Sequence, residues 1–338
     1  MMLMTKALFQ CIANNNLREL KLILSEAVSA SAICNIIYND LTPMMAVISN
    51  VLFSQEEMMK YLEVLIDHGA DVNQITEAES SALMLAIKHN HVPVVQFLLN
   101  HHADTNTKTK YGETPLTIAV SNGHTECLRW LIHYGANINA LSEWGWSLLF
   151  VALTQGRCAC ARLLVDSGID VNVQSRFGWT ALMHVSRDGP ITMAKLLLDN
   201  QAEIDVTDKD GWTALMRAVF SGHSDIVKLL ANYGANVNHR NQAEMTPLMM
   251  ASRLGDFPIA EFLVQSGATL DSVNRKHWTA LMYAANGGFT DIVQLLVVSG
   301  ADAWIETDQR ETATSLALNN EIKHILGESE IFSKYYLK

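Results

Sequence analysis

The chain is short of positive charge. Lys and Arg together number 24 and Asp and Glu 35, so the 338 residues carry a net charge of −11. A protein with this balance lacks the general attraction that draws cationic proteins to phosphate backbones and anionic membranes. Nucleic acids and membrane surfaces are therefore disfavoured as general partners, while a local basic patch stays compatible with the count.

Cysteine is scarce as well. The sequence contains five cysteines at scattered positions: Cys11, Cys34, Cys127, Cys158 and Cys160. An odd, scattered set does not form a disulfide framework and is typical of a reducing compartment. The Cys158-x-Cys160 pair has no second pair at zinc-site spacing. We predict no metal site and no cofactor.

Long apolar segments are missing too. No run of roughly 18 apolar residues is present, so no membrane-spanning helix is predicted. The N-terminal stretch MMLMTKALFQCIANNN is interrupted by Lys6 and Gln10 and lacks a small-residue cleavage site, which argues against a secretory signal peptide. We expect a soluble, cytoplasmic protein.

Internal repetition is what the chain has in abundance. A Ser or Thr recurs at intervals of 33 residues, at Ser81, Thr114, Ser147, Thr180, Thr213, Thr246, Thr279 and Thr312. Thr42 precedes Ser81 by 39, so the first full unit carries six additional residues, placed within 49–61. Eight positions at one interval, preceded by Thr42 at a nearly equal one, indicate a tandem array rather than one conventional core.

Each unit can be interpreted physically, for example the one around Thr213. The Thr213 side chain is suited to cap a helix N-terminus, and Leu215 begins a short apolar stripe at helical spacing. The SGH sequence at 221–223 breaks that helix, and a second apolar stripe follows up to Gly234. Glycine at that place suits the left-handed conformation that ends helices. The pattern predicts a turn and two antiparallel helices per unit.

A unit of this kind, with T-[PA]-L opening its first helix, closely resembles the ankyrin repeat. The resemblance implies an all-α fold, an ankyrin-repeat solenoid of about nine repeats plus a terminal capping unit. The expected organisation is a degenerate N-terminal unit at 1–40, eight repeats at 41–307, a capping repeat at 308–326 and a tail at 327–338. His102 and Gln201 replace the helix-ending glycine, so softer junctions are predicted there.

The histidines fit this repeat and do not form a ligand cluster. One repeat position, at the turn between the two helices, is shared by His91, His124 and His223, and the end of the second helix by His68, His101 and His133. The sequence also lacks a G-x-x-x-x-G-K-[ST] phosphate loop and an H-E-x-x-H helix. No catalytic residue and no enzymatic activity are predicted.

The candidate binding residues follow from the resemblance, which places the residue before the capping Ser or Thr at a hairpin tip on the concave face. Four tryptophans occupy that place, and flanking positions add aromatic, arginine and methionine side chains that are enriched in interface hot spots. The predicted partner-binding set is Trp146, Trp179, Trp212, Trp278, Trp144, Phe177, Arg187, Arg217, Phe220, Met245, Arg253 and Tyr283. Packing of the tryptophans against the neighbouring hairpin is the alternative interpretation.

Two further surfaces are candidates. The apolar residues Val51, Leu52 and Phe53 lie in the insertion and are expected to form an exposed loop, or else to cover the N-terminal unit. The segments LIDHGADVN and LVDSGIDVN resemble ankyrin sequences whose asparagine is hydroxylated in animal cytosol, which makes Asn73 and Asn172 possible acceptors. The alternative is that these asparagines only tie hairpins together.

These features predict a non-catalytic, monomeric scaffold that binds a partner protein or peptide in its groove. An RNA or ribonucleoprotein binder that uses aromatic stacking and arginine is the alternative of another class. The tail GESEIFSKYYLK (327–338) resembles the C-terminal translocation signals of ankyrin effectors exported by type IV systems of intracellular bacteria. Two settings stay open: an effector that binds host proteins in the host cytoplasm or nucleus, and a eukaryotic cytosolic adaptor.

Overall fold

The computed structural model describes residues 2–142 and 144–327. Within these ranges the regular elements are helices, and none of them is long and apolar enough to cross a membrane. The helices are α1 Met2–Ala13, α2 Leu17–Glu26, α3 Ala30–Cys34, α4 Pro43–Ile48, α5 Gln55–Asp67, α6 Ala82–Lys88, α7 Val92–Asn100, α8 Pro115–Asn122, α9 Thr125–His133, α10 Leu148–Thr154, α11 Cys158–Asp166, α12 Ala181–Asp188, α13 Ile191–Asp199, α14 Ala214–Phe220, α15 Ser224–Asn232, α16 Pro247–Leu254, α17 Phe257–Gln265, α18 Ala280–Gly287, α19 Thr290–Val298 and α20 Ala313–Leu316. A last helix covers 320–327. The predicted all-α fold of repeated helix pairs is confirmed.

The chain divides into two compact units, one formed by 1–143 with 147–169 and one by 144–146 with 170–338. In the first, α1 and α2 pair and α1 packs on α4, after which the first helices α4, α6, α8 and α10 pack in succession, as do the second helices α5, α7, α9 and α11. In the second, the same arrangement runs through α12, α14, α16, α18 and α20, with α13, α15, α17 and α19 beside them.

The helix starts follow from the capping residues named above. Thr213 accepts a hydrogen bond from the N–H of Met216 at 3.3 Å, and Ser81 caps α6 in the same way. Pro43, Pro115 and Pro247 stand in the first turn, where no intrahelical donor is lost. Each cap satisfies an N–H that would otherwise be unpaired at a buried helix end.

The six additional residues lengthen the second helix of their repeat by a turn. After its capping residue, the repeat at Thr213 has a first helix of 7 residues, a link of 3 and a second helix of 9. In the repeat at Thr42 the first helix has 6 residues, the link 6 and the second helix 13. The differences of −1, +3 and +4 account for all six. Ser54 and Glu57 form a reciprocal capping box at the start of this longer helix, which fixes where it begins.

Left-handed residues end the second helices. Gly234 has φ 91°, and at the two departures from glycine His102 and Gln201 adopt φ 63° and 64°. A residue with a Cβ is sterically strained at positive φ. The surrounding structure, rather than the residue's own preference, therefore holds His102 and Gln201 in this conformation.

Candidate functional site: hairpin tips of the second unit

A buried polar side chain opens the hairpin tips that precede α12, α14, α16, α18 and α20, five residues before the capping Thr. We call this the turn position; it is occupied by Ser175, Asp208, Asn241, Asn274 and Thr307. Each side chain accepts hydrogen bonds from the N–H groups two and four residues later. For Asp208 the donors are Asp210 at 2.9 Å and Trp212 at 3.0 Å. The turn position therefore fixes the backbone that carries each tip residue.

Backbone hydrogen bonds also join each tip to the next. The N–H that follows the turn position donates to a carbonyl of the preceding tip, as in Arg176 to Trp144 at 3.1 Å and Lys209 to Phe177 at 3.2 Å. The same bond recurs from Gln242 to Asp210 at 3.1 Å. These tips form a continuous hydrogen-bonded row, which makes them a rigid platform despite their irregular backbone.

The central tryptophans pack against arginine rather than standing free. The Arg217 guanidinium lies 4.3 Å from the Trp179 ring centroid and 4.6 Å from that of Trp212, while Arg187 lies 4.7 Å from Trp179. Trp146, Trp179, Trp212 and Trp278 are all half-buried. Cation–π contacts of this geometry stabilise both partners. Trp179 and Trp212 therefore pack on arginine side chains and still present part of their surface to solvent.

A buried carboxylate holds Arg217 in place. Asp208, whose side chain is 1% exposed, pairs through Oδ2 with the Arg217 guanidinium while its Oδ1 serves the turn. Burying a carboxylate is costly unless it is paired and hydrogen-bonded, and here it is both. Asp208 thus links the turn, the arginine and two tryptophans in one network.

Three of the predicted aromatic residues are well exposed. Trp144 is 58% exposed and Phe177 52%, and both belong to the row of joined tips. Phe220 is exposed as well and contacts Trp212 edge to face, with centroids 5.5 Å apart. Large rigid aromatic groups on a fixed backbone lose little conformational entropy on binding, so these residues can contribute most to affinity.

Met245 does not continue this surface as expected. Its side chain is only 6% exposed and its sulfur contacts the Asn274 amide and the Tyr283 hydroxyl, each at 3.4 Å. The thioether is small and flexible enough to fold under its tip, where the indole at the other tips is too large to do so. The prediction of an accessible Met245 is therefore wrong.

A cleft of about 650 Å³ lies at the C-terminal end of the same unit. Arg253, Trp278 and Tyr283, three of the predicted residues, line it together with Lys276 and the tip at 307–311. The Trp278 and Tyr283 rings are 4.9 Å apart, and Asn274 donates to the Tyr283 hydroxyl at 2.7 Å. Burial raises the pKa of Tyr283 and the nearby Arg253 lowers it in part. The volume suits a short peptide segment or a small ligand.

The insertion in the first unit presents two apolar side chains instead of three. Val51 is 91% exposed and Leu52 is also well exposed. Phe53 is buried at 7% exposure and stacks on Tyr61, with centroids 4.7 Å apart. The expectation that Phe53 is exposed is wrong, because its ring packs against Tyr61 of α5.

Asn73 and Asn172 connect adjacent arms. The Asn73 amide donates to the His102 carbonyl at 3.1 Å and its Oδ1 accepts from the Asp104 N–H at 2.7 Å. Asn172 makes the same pair of bonds with Gln201 and Glu203. Both side-chain amides are thus used structurally, and their hydroxylation stays a prediction.

Most of the thiols are buried, and several histidine rings form hydrogen bonds with backbone carbonyls. Burial raises the pKa of Cys11, Cys34 and Cys127 to about 11 in each case, so these thiols stay protonated near neutral pH. The His223 ring bonds to the Arg187 carbonyl at 2.8 Å, and the His101 ring to the Phe97 carbonyl at 2.8 Å. Residues 2–142 and 144–327 contain no cluster of three or more groups able to hold a metal ion.

The sequence interpretation missed the turn position and with it Asp208. The signal was present, since Ser175, Asp208, Asn241 and Asn274 follow one another at the repeat interval. Asp208 is the carboxylate in that series and stands nine residues before Arg217, as Asn274 stands before Tyr283. A small polar residue recurs at the same position of each repeat, and in two repeats a side chain able to hydrogen-bond with it follows nine residues later. This pattern was the signal that could have identified the network.

Comparisons with known proteins agree with this architecture. The family model for ankyrin repeats (three copies) matches residues 8–109, 62–142, 83–175, 149–241 and 238–307. Among solved structures, the chain is similar to the crystal structure of the ankyrin repeat domain of Bcl-3, a member of the IkappaB protein family. That similarity has 26% identity and a TM-score of 0.60, and covers 64% of this chain and 100% of that one. Curated protein sequences give no match. The repeat matches extend from residue 8 to residue 307, and the chain therefore belongs to the ankyrin-repeat family.

Proposed function

We propose that this protein is a non-catalytic scaffold that binds a partner protein through the row of hairpin tips in its second unit. Ankyrin repeats mediate protein–protein interactions. The observation that carries the assignment to these tips is the exposure of Trp144 and Phe177, at 58% and 52%, on a hydrogen-bonded backbone. Exposed aromatic residues grouped on a rigid surface are typical of interaction sites.

The neighbouring side chains indicate the chemistry of the partner. Trp144, Phe177 and Phe220 offer apolar area, while Arg253 supplies donors at the cleft of the same unit. A partner segment that inserts apolar side chains between the tips and carries an acidic group nearby would use both features. Arg217 is already paired with Asp208, so its role is to hold the tryptophans rather than to contact the partner.

The test is affinity capture from cell lysate with the whole protein and a Trp144→Ala/Phe177→Ala variant. Truncating a hot-spot aromatic costs about 2 kcal/mol or more, so even one such anchor among the two would make partners of this surface be retained at least ~30-fold less well. Neither side chain is buried, so the fold should survive both changes, which circular dichroism checks.

A matched control is Val298→Ser, because Val298 is 80% exposed on α19, a second helix away from the tips. Partners that bind the tips are retained by the control and lost from the double variant. Equal retention by both variants would place binding elsewhere, and the Val51 and Leu52 loop of the first unit would become the surface to test.

An RNA-binding role is disfavoured by the net charge of −11 and by the pairing of three arginines around the tips. Arg217 pairs with Asp208, Arg187 with Asp188 and Arg240 with Glu244, so these cations are neutralised within the fold. Phosphate contacts release counterions and give a steep linear fall of log affinity with log salt. We expect a shallow salt dependence for the captured partner; a steep one would favour the nucleic-acid alternative.

Two cellular settings accommodate the scaffold. As an effector it would be delivered by a type IV system and bind host proteins in the host cytoplasm or nucleus; as an adaptor it would act in the cytosol of its own cell. The resemblance that favours the effector rests on 327–338, which lies outside the described residues after Gly327. Delivery of a reporter fused to the whole chain, with and without 328–338, separates the two.

Hydroxylation of Asn73 and Asn172 is a further part of the proposal. The side-chain amides of Asn73 and Asn172 donate hydrogen bonds to the carbonyls of His102 and Gln201, whereas hydroxylation would occur at Cβ. A hydroxylated asparagine would therefore keep its hydrogen bonds between the arms. Peptide mass spectrometry of the protein purified from animal cells should show one added oxygen at these asparagines, and an unmodified spectrum would remove the suggestion.

A further inference from the structure

The charges around the 650 Å³ cleft are divided according to the repeat that supplies them. Arg253 lies on α16 and Lys276 at the tip before α18, whereas Asp308 and Glu311 belong to the tip before α20. Because α16 packs on α18 and α18 on α20, the positive groups come from the first two of three stacked repeats and the negative groups from the third. Trp278 and Tyr283 share the middle repeat with Lys276 and stand between the positive and negative groups in chain order.

The positive end is available for binding. Arg253 is exposed, and neither Arg253 nor Lys276 forms an ion pair with an acidic side chain within 2–142 and 144–327. This contrasts with Arg187 and Arg217, which are paired. An unpaired guanidinium beside an aromatic pair is suited to a carboxylate that arrives with an apolar neighbour.

The negative end is positioned by its own turn. The Thr307 hydroxyl accepts from the N–H groups of Gln309 at 3.2 Å and Glu311 at 3.1 Å, and this holds the 307–311 backbone. Asp308 lies 3.3 Å from the His277 ring, whose side chain and that of Asp308 are both more than half exposed. An exposed ion pair of this kind contributes little to stability. The Asp308 carboxylate can therefore leave His277 and pair with a cation of the partner.

From this division of charge we propose that the cleft binds a peptide segment in which an acidic residue and a basic residue flank an apolar or aromatic one. The acidic residue pairs with Arg253 and Lys276, the basic residue with Asp308 and Glu311, and the residue between them packs on Trp278 and Tyr283. This inference rests on the proposed scaffold function. It specifies which peptide sequence the scaffold binds at one end of the tip row. Opposite charges at the two ends also fix the direction in which the segment lies.

The experiment is selection of short random peptides displayed on phage against the whole protein and two charge-reversed variants. The first variant is Arg253→Glu/Lys276→Glu and the second is Asp308→Lys/Glu311→Lys. The native protein should enrich peptides that pair an acidic with a basic residue around an apolar one. Each variant should lose one of these preferences, and a selected peptide should bind it about tenfold more weakly.

The outcomes separate this inference from the scaffold proposal. Selected peptides that bind both charge variants as well as the native protein, yet are lost by Trp144→Ala/Phe177→Ala, would overturn the cleft inference and leave the scaffold proposal intact. Failure to enrich any peptide would overturn the cleft inference alone, because the scaffold proposal is decided by the capture experiment with Trp144→Ala/Phe177→Ala. If the chain instead forms a dimer that both charge-reversed variants abolish, the cleft is occupied by a second copy and the peptide assignment is wrong.

Discussion

At the scale of single residues, Asp208 organises the centre of the tip row. Its two carboxylate oxygens serve different partners, Oδ1 the turn and Oδ2 Arg217, so one side chain couples backbone geometry to the Trp179 and Trp212 contacts. The other turn positions carry Ser, Asn or Thr, which supply the turn acceptor without a charge. The charge at 208 is what keeps an arginine between two indole rings.

Asp208→Asn separates these two roles, because an amide oxygen can still accept from the turn. We expect the free energy of unfolding to fall by about 2 kcal/mol, since Arg217 is left mostly buried without its counter-charge. Urea unfolding measures the loss. The same substitution in an Arg217→Met background should cost much less; equal costs in both backgrounds would mean that the ion pair does not couple to stability.

Two buried hydroxyl groups are expected to reduce stability, so their removal should not destabilise the protein. Ser186 and Ser252 are fully buried, and neither hydroxyl oxygen has a hydrogen-bond partner within 2–142 and 144–327. Ser186→Ala and Ser252→Ala should each leave stability unchanged or raise it by about 1 kcal/mol, because an unsatisfied polar group is removed. The control Ser81→Ala removes a working cap and should cost about 1 kcal/mol. Losses at Ser186 as large as at Ser81 would contradict this.

At the scale of elements, the predicted helix pairs and the actual ones agree because capping, apolar spacing and terminal glycine act within a few residues. Long-range partners were harder to foresee. The burial of Phe53 depends on its contact with Tyr61 of α5, and the burial of Met245 depends on Asn274 and Tyr283 in the next repeat. Local patterns specify the elements, while such side-chain positions depend on what the neighbouring repeat presents.

The helix ends at His102 and Gln201 remain predicted to be softer than those at glycine. Both adopt positive φ without the freedom of glycine, so amide exchange around them should be faster than around Gly234. Gln201→Gly should slow exchange locally and stabilise by about 0.5–1 kcal/mol, because the strain of a side chain at positive φ is relieved. Gly234→Gln is the converse control. Equal exchange at all three sites would show that the surroundings remove the strain.

At the scale of the whole molecule, acid should weaken the fold through His91. Burial lowers the pKa of His91, and the neighbouring His89 lowers it further. The unfolded chain therefore takes up a proton near its ordinary pKa of about 6.5 while the folded chain does not. The stability contribution of neutral His91 is present above that pH and is lost as pH falls through its lowered folded value.

Urea unfolding between about pH 7.5 and 5 measures this effect. The native protein should lose stability on acidification, and His91→Gln should lose less over the same range. His91 makes no side-chain cap bond at the start of α7, so the substitution removes no helix cap. Parallel pH profiles for the two proteins would contradict the assignment.

The sequence predicted most of the fold and about half of the arrangement at the tips. The 33-residue interval and its caps sufficed for the repeats, and Trp144, Phe177 and Phe220 were correctly taken to be accessible. The engagement of Trp179 and Trp212 with Arg217 could not be foreseen in full, since it requires knowing that Asp208 turns inward. The cleft joins residues from three successive repeats, and its split of charge appears only when they are stacked.

The central claim is that the tips of the second unit bind a protein partner through exposed aromatic residues. The most direct measurement is the Kd of the captured partner for the native protein, Trp144→Ala/Phe177→Ala and Val298→Ser at several salt concentrations. We expect at least ~30-fold weaker binding for the double variant, no change for Val298→Ser and a shallow salt slope. Unchanged binding by the double variant, or an equal loss in the control, would contradict it.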